Sequence, residues 1–254
     1  MAFIEVENLV KTYGSSTAEV AAVRGMTFAV QKGELVAVMG ESGSGKSTLL
    51  GIMGALNRPT SGKYLVDGID VYSLGQEERA DFRRKFLGFV FQSFHLIPYL
   101  TVRENVMVPL ATGRGKASRK RALADEALSR VGLAEKGGRL PGQISGGEQE
   151  RVAIARAIVN RPPILLADEP TGNLDSKTTG EIVGLLKGLN EEGMSIVMVT
   201  HNSECARFAG RVLRIADGLL KSEDRAGGYI AFREKGNGSA GASEKIEHFP
   251  TCTA

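Results

Sequence analysis

A glycine-rich stretch from Gly40 to Thr48 restricts the fold of this chain more than any other feature of the sequence. It matches the pattern G-x-x-x-x-G-K-[ST] at every fixed position and follows an apolar run, Leu35 to Met39, that is typical of a buried strand. Glycines let the backbone present successive N–H groups to phosphate oxygens. The candidate binding residues are Gly40, Glu41, Ser42, Gly43, Ser44, Gly45, Lys46, Ser47 and Thr48.

The side chains of this loop predict a nucleotide site. Lys46 adds a positive charge toward the β and γ phosphate oxygens, and the hydroxyl of Ser47 can bind Mg²⁺. A helix is expected from Thr48 to Met53, with its positive N-terminal end facing the same phosphates. The strand before the loop and the helix after it argue against a Gly/Ser-rich loop that matches by accident.

The composition is that of an ordinary globular domain with room for a subdomain. The 254 residues are 42% hydrophobic and 24% charged, and 32 Lys+Arg against 29 Asp+Glu give a net charge of +3. This balance does not suit a dedicated nucleic-acid binder, so no nucleic-acid partner is expected. The apolar runs are far shorter than the roughly 20 residues of a membrane-spanning helix, and no leader pattern opens the chain, which predicts a cytoplasmic location.

The two cysteines are assigned no function. Cys205 and Cys252 are far apart in the sequence and have neither the spacing of a disulfide framework nor that of a metal site. Reduced thiols are therefore expected.

The first part of the chain predicts a small sheet. Phe3 to Val10 and Met26 to Val30 have strand patterns. Tyr13, at the end of the first pattern, could stack on a nucleotide base, but it could equally be a half-buried tyrosine at a strand end.

A second apolar strand pattern, Gly88 to Phe91, ends at Gln92. The Gln92 amide could bind Mg²⁺ or hold a water molecule, although such glutamines are more often surface residues. The segment Phe94 to Tyr99 is unusually apolar for a loop that contains proline. It is either an exposed patch that binds a partner or a segment packed inside its own domain.

A basic run precedes the helical pattern that begins near Leu123. Such runs are usually solvated, and contact with anionic lipid or nucleic acid is the less favoured alternative. Its members are Arg114, Lys116, Arg119, Lys120 and Arg121.

The stretch Ile144 to Gln149 is a second candidate anion site. Ser145, Gly146 and Gly147 stand at the start of a helical pattern, where free N–H groups and a hydroxyl can meet an anion. A chain with one phosphate loop has no need of a second, so this site could serve a nucleotide held by another copy. A glycine-assisted N-cap is the simpler interpretation.

The run Pro163 to Pro170 ends in two adjacent carboxylates, as expected of a central parallel strand. Asp168 could hold Mg²⁺ through water, and Glu169 could align or deprotonate the attacking water. Two acids buried at a strand end without a metal would be costly, which favours the functional interpretation.

Two further positions complete the set. Asp175 or Ser176 is the expected N-cap of a helix. The β-branched run Ser195 to Val199 ends at Thr200 and His201, which places an imidazole at the sheet edge of the other strand ends. His201 is therefore a candidate γ-phosphate contact, with a capping or surface histidine as the alternative.

In this order the motifs resemble those of an ATP-binding-cassette (ABC) transporter ATPase over roughly residues 2–222. The matching parts are Walker A at Gly40–Thr48, the Q-loop at Gln92, the signature at Ser145–Gln149, Walker B ending at Asp168 and Glu169, the D-loop at Asn173–Asp175 and the switch at His201. The chain looks most like the lipoprotein-releasing, macrolide-efflux and cell-division group. It departs from the family pattern at Ile144, commonly leucine, and at Glu150, commonly glutamine.

The resemblance implies an α/β fold, a P-loop NTPase core with a parallel sheet, a small antiparallel β subdomain and an inserted α-helical subdomain. The expected ranges are 1–92 and 162–222 for the core and 93–161 for the helical subdomain. For 223–254 the glycine-rich composition, not the resemblance, predicts a flexible tail. It also implies ATP and Mg²⁺ as cofactors and homodimers that hold two ATP molecules between Walker A of one chain and Ser145–Gly147 of the other. An integral membrane permease subunit would dock near Phe94–Tyr99.

The same resemblance assigns roles to the candidate residues. The catalytic set is Lys46, Gln92, Glu169 and His201. The metal ligands are Ser47, Gln92 and Asp168. The nucleotide contacts are Tyr13, the loop Gly40–Thr48, Ser145, Gly146, Gly147 and Asp175.

The expected function is that of an ATP-hydrolysing subunit at the cytoplasmic face of the inner membrane. It would power extrusion or release of a lipoprotein or hydrophobic compound through a separate membrane subunit. A mechanotransmission ATPase that activates a cell-wall hydrolase is the alternative. Soluble DNA-repair and translation ATPases are disfavoured, because the sequence has neither a coiled-coil insertion nor a second cassette.

Overall fold

The computed structural model describes residues 2–14, 19–113, 115–172, 174–225 and 228–231. The predictions made for Arg114, Asn173, Cys252 and the last part of the tail, 232–254, lie outside these ranges.

Strands and helices alternate along most of the chain. In order they are β1 (Ile4–Tyr13), β2 (Val20–Val30), β3 (Leu35–Met39), α1 (Lys46–Met53), β4 (Ser61–Val66), β5 (Ile69–Asp70), α2 (Gln76–Phe86), β6 (Leu87–Val90), α3 (Val102–Met107), α4 (Ala117–Arg130), α5 (Gly146–Ile158), β7 (Ile164–Asp168), α6 (Ser176–Glu191), β8 (Ser195–Thr200), α7 (Ser203–Ala206), β9 (Arg211–Ala216), β10 (Leu219–Arg225) and β11 (Gly228–Ala231). Short 3₁₀ turns cover Val108–Leu110, Ala134–Lys136 and Pro141–Gln143.

Seven of the described strands form one sheet in the order β11-β10-β9-β3-β8-β7-β6. The strands from β9 to β6 run parallel, while β10 and β11 are antiparallel additions at one edge. The central strands carry apolar side chains on both faces because both faces of the sheet are covered. Within β3, Val36 and Val38 pack into one core cluster, whereas Ala37 and Met39 pack into the other.

The first face of this sheet packs against α1 and the four-stranded antiparallel sheet, whose order is β2-β1-β4-β5. Tyr64 of β4 is fully buried in this cluster, and burial raises the pKa of its hydroxyl above the ordinary value. The α/β architecture with a parallel sheet, an antiparallel sheet and helices is thus the one predicted from the sequence.

The opposite face carries the helices α3, α4, α5 and α6. The first three lie between residues 93 and 161, the range expected for a helical subdomain. Their core includes Ile144, which is 9% exposed and stands where the family commonly has leucine. At the start of α4, Lys116, Arg119 and Arg121 are exposed.

The C-terminal boundary expected from the sequence is wrong. The composition predicts a flexible tail over 223–254, yet β10 continues to Arg225 and pairs with both β9 and β11. Glu223 is 4% exposed and binds Arg211 at 2.8 Å, and the same arginine lies 3.3 Å from Glu34. The charged residues before the glycine-rich segment are therefore partners in a buried ion-pair network, which an estimate from composition cannot show.

Candidate functional site

The parallel strands end at one edge of the sheet, and their register places the predicted site residues near one another at this edge. Met39 lies opposite Thr200, Asp168 opposite Val199, and Val90 opposite Ala167. A cleft of about 590 Å³ opens at this edge. Its lining comprises Ala22, Ser42, Gly43, Gly45, Lys46, Ser47, Thr48, Gln92, Glu169 and His201.

The phosphate loop packs closely against the antiparallel sheet. Gly45 has a φ of 99°, and a Cβ atom there would lie 2.1 Å from the carbonyl oxygen of Ala22. Only glycine combines this conformation with so close an approach. Ala22 itself lines the cleft, although nothing in the sequence pattern marked it, because its place depends on the pairing of β2 with the rest of the sheet.

Lys46 holds a positive charge at the floor of the cleft. It is 7% exposed, and its Nζ atom donates hydrogen bonds of 2.7 Å to the carbonyl oxygens of Gly40 and Glu41. A buried cation with neutral partners favours an anion beside it. The helix α1 begins at this residue without a side-chain cap, so its first N–H groups point toward the same place.

Ser47 and Asp168 form the part of the site that fits Mg²⁺. Their Oγ and Oδ1 atoms lie 3.3 Å apart. Burial, aided by the negative charge of Glu169, raises the pKa of the Asp168 carboxyl, while Ser47 and Lys46 act in the opposite direction. A hydroxyl and a carboxylate are ligands that Mg²⁺ uses beside substrate phosphates, so these residues fit the ion. When bound there, Mg²⁺ would neutralise phosphate charge.

Glu169 and His201 lie side by side at the ends of β7 and β8. Glu169 leaves the strand direction with a φ of 49°, a left-handed conformation that is uncommon for residues other than glycine. Its backbone N–H donates to the carbonyl oxygen of Val199 at 2.9 Å, and its Oε2 atom contacts Nδ1 of His201. The side chain of Glu169 is 14% exposed and that of His201 64% exposed.

The signature residues lie at the N-terminus of α5, outside the lining of this cleft. Ser145 is the N-cap: its Oγ accepts from the backbone N–H of Glu148, whose carboxylate accepts from the N–H of Ser145. These hydrogen bonds lower the pKa of Glu148. Ser145 and Gly146 remain exposed, which leaves this surface open to a second molecule.

Gly147 has a packing role that its sequence motif does not indicate. A Cβ atom at this position would lie 2.3 Å from Cγ2 of Thr178 in α6. The glycine therefore permits close contact between α5 and α6. No periodic pattern in the sequence announces this contact, because its two residues are 31 positions apart.

Asp175 and Tyr13 do not line the cleft. Asp175 caps α6: its Oδ1 atom accepts from the N–H groups of Lys177 and Thr178, both at 3.0 Å, and these hydrogen bonds lower its pKa. Tyr13 is 43% exposed at the end of β1, and the ammonium group of Lys11 lies 4.9 Å from its ring centroid. Their roles toward a nucleotide stay predictions.

A family model described as ABC transporter matches residues 23–172 of this chain. The chain belongs to the ABC transporter family. The lipoprotein-releasing system ATP-binding protein LolD of Geobacter metallireducens is 49% identical over 221 residues, which cover 87% of this chain and 98% of that protein. The macrolide export ATP-binding/permease protein MacB of Syntrophobacter fumaroxidans is 47% identical over 231 residues. That match covers 90% of this chain, which spans about a third, 32%, of the length of MacB.

A solved structure has the same fold as this ABC chain. The ATP-binding cassette MJ0796 of Methanocaldococcus jannaschii, in a dimeric post-hydrolysis state bound to ADP and Pi, superposes with a TM-score of 0.82 at 43% identity. The match covers 89% of this chain and 99% of MJ0796.

The chain is therefore an ATP-binding subunit of an ABC transporter, an ATPase whose cofactors are ATP and Mg²⁺. The phosphate loop, the buried Lys46 and the pair Ser47 and Asp168 agree with this assignment. Among the described residues, no helix is long and apolar enough to cross a membrane.

Proposed function

We propose that this chain is the ATP-hydrolysing subunit of a bacterial ABC transporter that extrudes or releases a lipoprotein or hydrophobic compound through a separate membrane subunit. The observation that carries the proposal is its similarity along almost the full length of a lipoprotein-releasing ATP-binding protein. The similarity to about a third of a macrolide export protein extends the substrate class to hydrophobic compounds. Neither relative is named for activating a cell-wall hydrolase, so the mechanotransmission alternative gains no support from them.

In this proposal the residues at the strand ends carry out hydrolysis. Glu169 is the base for the attacking water, Lys46 stabilises phosphate charge, and His201 and Gln92 contact the γ-phosphate region. The contact between Glu169 and His201 supports a role for both side chains at the γ-phosphate and the water that attacks it. Ser47, Asp168 and Gln92 would hold Mg²⁺, and Tyr13 would stack on the base.

Two copies would be needed for a complete site. Ser145 and Gly146 are exposed at the N-terminus of α5 and do not line the chain's own cleft. A second copy facing head to tail could therefore supply its signature to the nucleotide held here. Structures of MJ0796 are dimeric, which supports the pairing of two copies.

A groove beside β6 is the docking place that we infer for the membrane subunit, which would hold the ATPase at the cytoplasmic face of the membrane. Its volume is about 580 Å³. Apolar side chains including Phe89, Phe91, Val108 and Pro109 line it, together with Arg83 and the ion pair of Arg84 with Asp81 at 2.9 Å. This lining suits a short cytoplasmic helix with an apolar face.

The segment Phe94–Tyr99 is expected to bind the permease, but its side chains differ in burial. Leu96 packs against the helical core, whereas Tyr99 is 80% exposed. The segment adjoins the groove, because the ring centroid of His95 lies 5.1 Å from that of Phe91, which lines the groove. A charge at Leu96 would therefore perturb the fold, and Val108 is the better probe of docking.

Reconstitution tests the proposed function. The chain is co-expressed with each permease of the lipoprotein-release and macrolide-export types encoded in the same genome, and the complex is placed in proteoliposomes. We expect ATP-dependent release of a lipoprotein or export of a hydrophobic compound with one of them. Hydrolysis stimulated by a permease without movement of any such substrate would contradict the transport function and support mechanotransmission.

Docking has a matched test. Val108→Glu places a carboxylate in the groove at a side chain that is 42% exposed, and Ile69→Glu places one at a 36% exposed position of β5. We expect only the groove variant to lose co-purification with the permease, while both bind ATP. Equal retention of the permease by both variants would rule out this groove.

A further inference from the structure

An arginine of the signature helix holds the loop that follows Gln92. The guanidinium group of Arg156 in α5 donates one hydrogen bond of 2.6 Å to the carbonyl oxygen of His95 and another of 2.7 Å to that of Phe94. His95 has a φ of 49°, so the chain bends sharply where it is held. The two bonds start from one planar group, which fixes the direction of the loop as well as its distance.

The surroundings strengthen this attachment. Arg156 is largely removed from water, and this burial lowers the pKa of its guanidinium group. An arginine remains charged even so. Hydrogen bonds from an ionised donor in a partly buried place are stronger than neutral ones, and removal of the donor would leave two carbonyl groups without it.

The far end of the same loop is also fastened to a helix. Asn105 of α3 is fully buried, and its side chain accepts from the N–H of Ile97 at 2.7 Å. Its Nδ2 atom donates to the carbonyl oxygens of Ile97, Leu100 and Thr101 at 3.0–3.1 Å. Two side chains from α3 and α5 thus hold the segment from residue 94 to 101, whereas Gln92 follows a strand of the parallel sheet.

The helix α5 carries the signature residues at its N-terminus and Arg156 nearer its C-terminus. Its N-terminus presents Ser145 and Gly146, and Arg156 lies about 16 Å further along if the helix rises by the usual 1.5 Å per residue. A displacement of this helix therefore moves the signature and the loop after Gln92 together. No sequence motif marks Arg156, because its partners are 61 and 62 positions away.

We propose that Arg156 is a positioning residue for ATP hydrolysis. Through Phe94 and His95 it makes the position of Gln92 at one ATP depend on the position of the signature that touches the other ATP. The inference rests on the proposed dimer. It assigns the coupling between the two ATP sites of that dimer to the hydrogen bonds of Arg156 with Phe94 and His95.

The test compares three single variants of the full chain. Arg156→Gln removes the charge and the pair of hydrogen bonds that the guanidinium group donates. Arg156→Lys keeps the charge but carries it on one ammonium group in place of the planar guanidinium. Arg161→Gln is the matched control, an arginine close to the end of α5 that pairs with Glu126 on the surface. The measurements are kcat, KM and the Hill coefficient for ATP, together with binding of a fluorescent ATP analogue to the monomer.

For Arg156→Gln we expect kcat to fall about tenfold and the Hill coefficient to fall toward 1, with analogue binding changed by no more than about twofold. Arg156→Lys should lie between this variant and the wild type, and Arg161→Gln should match the wild type. A purely structural role would lower the melting temperature and the active fraction while the Hill coefficient stays unchanged, and this result would overturn the inference. If Arg156→Gln does not fold, a wild-type Hill coefficient and kcat for Arg156→Lys overturn it.

Failure of the dimer itself can be recognised separately. The Glu169→Gln chain, in which hydrolysis is blocked, is analysed by size-exclusion chromatography over a range of ATP concentrations, alone and with Arg156→Gln. A parent that stays monomeric would overturn the proposed dimer and this inference with it. A parent that dimerises at the same ATP concentration as the double variant would overturn the role of Arg156 alone. We expect the double variant to need about tenfold more ATP.

Discussion

The Nδ1 atom of His201 contacts Oε2 of Glu169, which joins the end of β8 to the residue that follows β7. Glu169 reaches this place because its backbone adopts a left-handed conformation and donates to the carbonyl of Val199. Strained backbone at a site of this kind is commonly part of its preorganisation. The histidine and the carboxylate line the same cleft as Ser47 and Lys46.

Replacement of Glu169 by Gln should abolish most of the turnover and leave ATP binding in place. The amide keeps the shape of the side chain but cannot accept a proton, so kcat should fall by about 10²–10⁴-fold. Phosphate release assays under saturating Mg²⁺ and ATP measure the loss, and an ATP-analogue titration measures binding. Glu192→Gln, which changes an exposed carboxylate paired with Arg130, is the control. Near wild-type hydrolysis by the Glu169 variant would show that another group is the base.

The strand-end residues of this site could be predicted from the sequence because the signal is local. An apolar run that ends in Asp168, and another that ends in Thr200 and His201, each mark one strand, and parallel strands end at one edge. The phosphate loop was predicted from its glycines and Lys46 for the same reason. Each of these inferences needs only neighbouring residues.

Other parts of the site depend on contacts between distant residues and could not be predicted in this way. The positive φ of Glu169, the place of Ala22 in the cleft and the hold of Arg156 on Phe94 and His95 arise only once the sheets and helices are packed. The tail boundary failed for a related reason. The burial of Glu223 depends on Arg211, which stands on the neighbouring strand.

Gly147→Ala should destabilise the fold by about 1–3 kcal/mol, because the new methyl group would overlap Cγ2 of Thr178. Gly146→Ala is the control, since a Cβ atom there would meet its nearest neighbour at 3.9 Å. Urea unfolding of both variants measures the difference in the free energy of unfolding.

A double variant identifies the cause of that loss. Thr178→Ser removes the Cγ2 methyl group and keeps the hydroxyl that donates to Asp175 at 2.7 Å. In the presence of Thr178→Ser, the cost of Gly147→Ala should fall by at least about 0.5 kcal/mol, the lower end of the coupling energies seen between contacting residues. Costs that simply add would show that the clash with Thr178 is not responsible.

The carboxyl of Glu150 predicts a pH dependence of stability. It is 1% exposed, its Oε1 atom has no hydrogen-bond partner within the described part of the chain, and burial raises its pKa to about 8. Between the ordinary carboxyl pKa and about 8 the folded state therefore binds a proton that the unfolded state does not. The free energy of unfolding must then fall as the pH rises through this window.

Glu150→Gln, which restores the residue common in the family, should remove this dependence. The variant should become more stable than the wild type as the pH increases from 5 to 8, by an amount on the order of a few kcal/mol at the upper end. Urea unfolding at several pH values measures the difference between the two proteins, in which the titration of all other groups largely cancels. Glu148→Gln is the control in the same helix, because hydrogen bonds lower the pKa of Glu148 and its stabilising effect is lost only at acidic pH. A Glu150→Gln difference that stays constant from pH 5 to 8 would show that this carboxyl titrates normally in the folded chain.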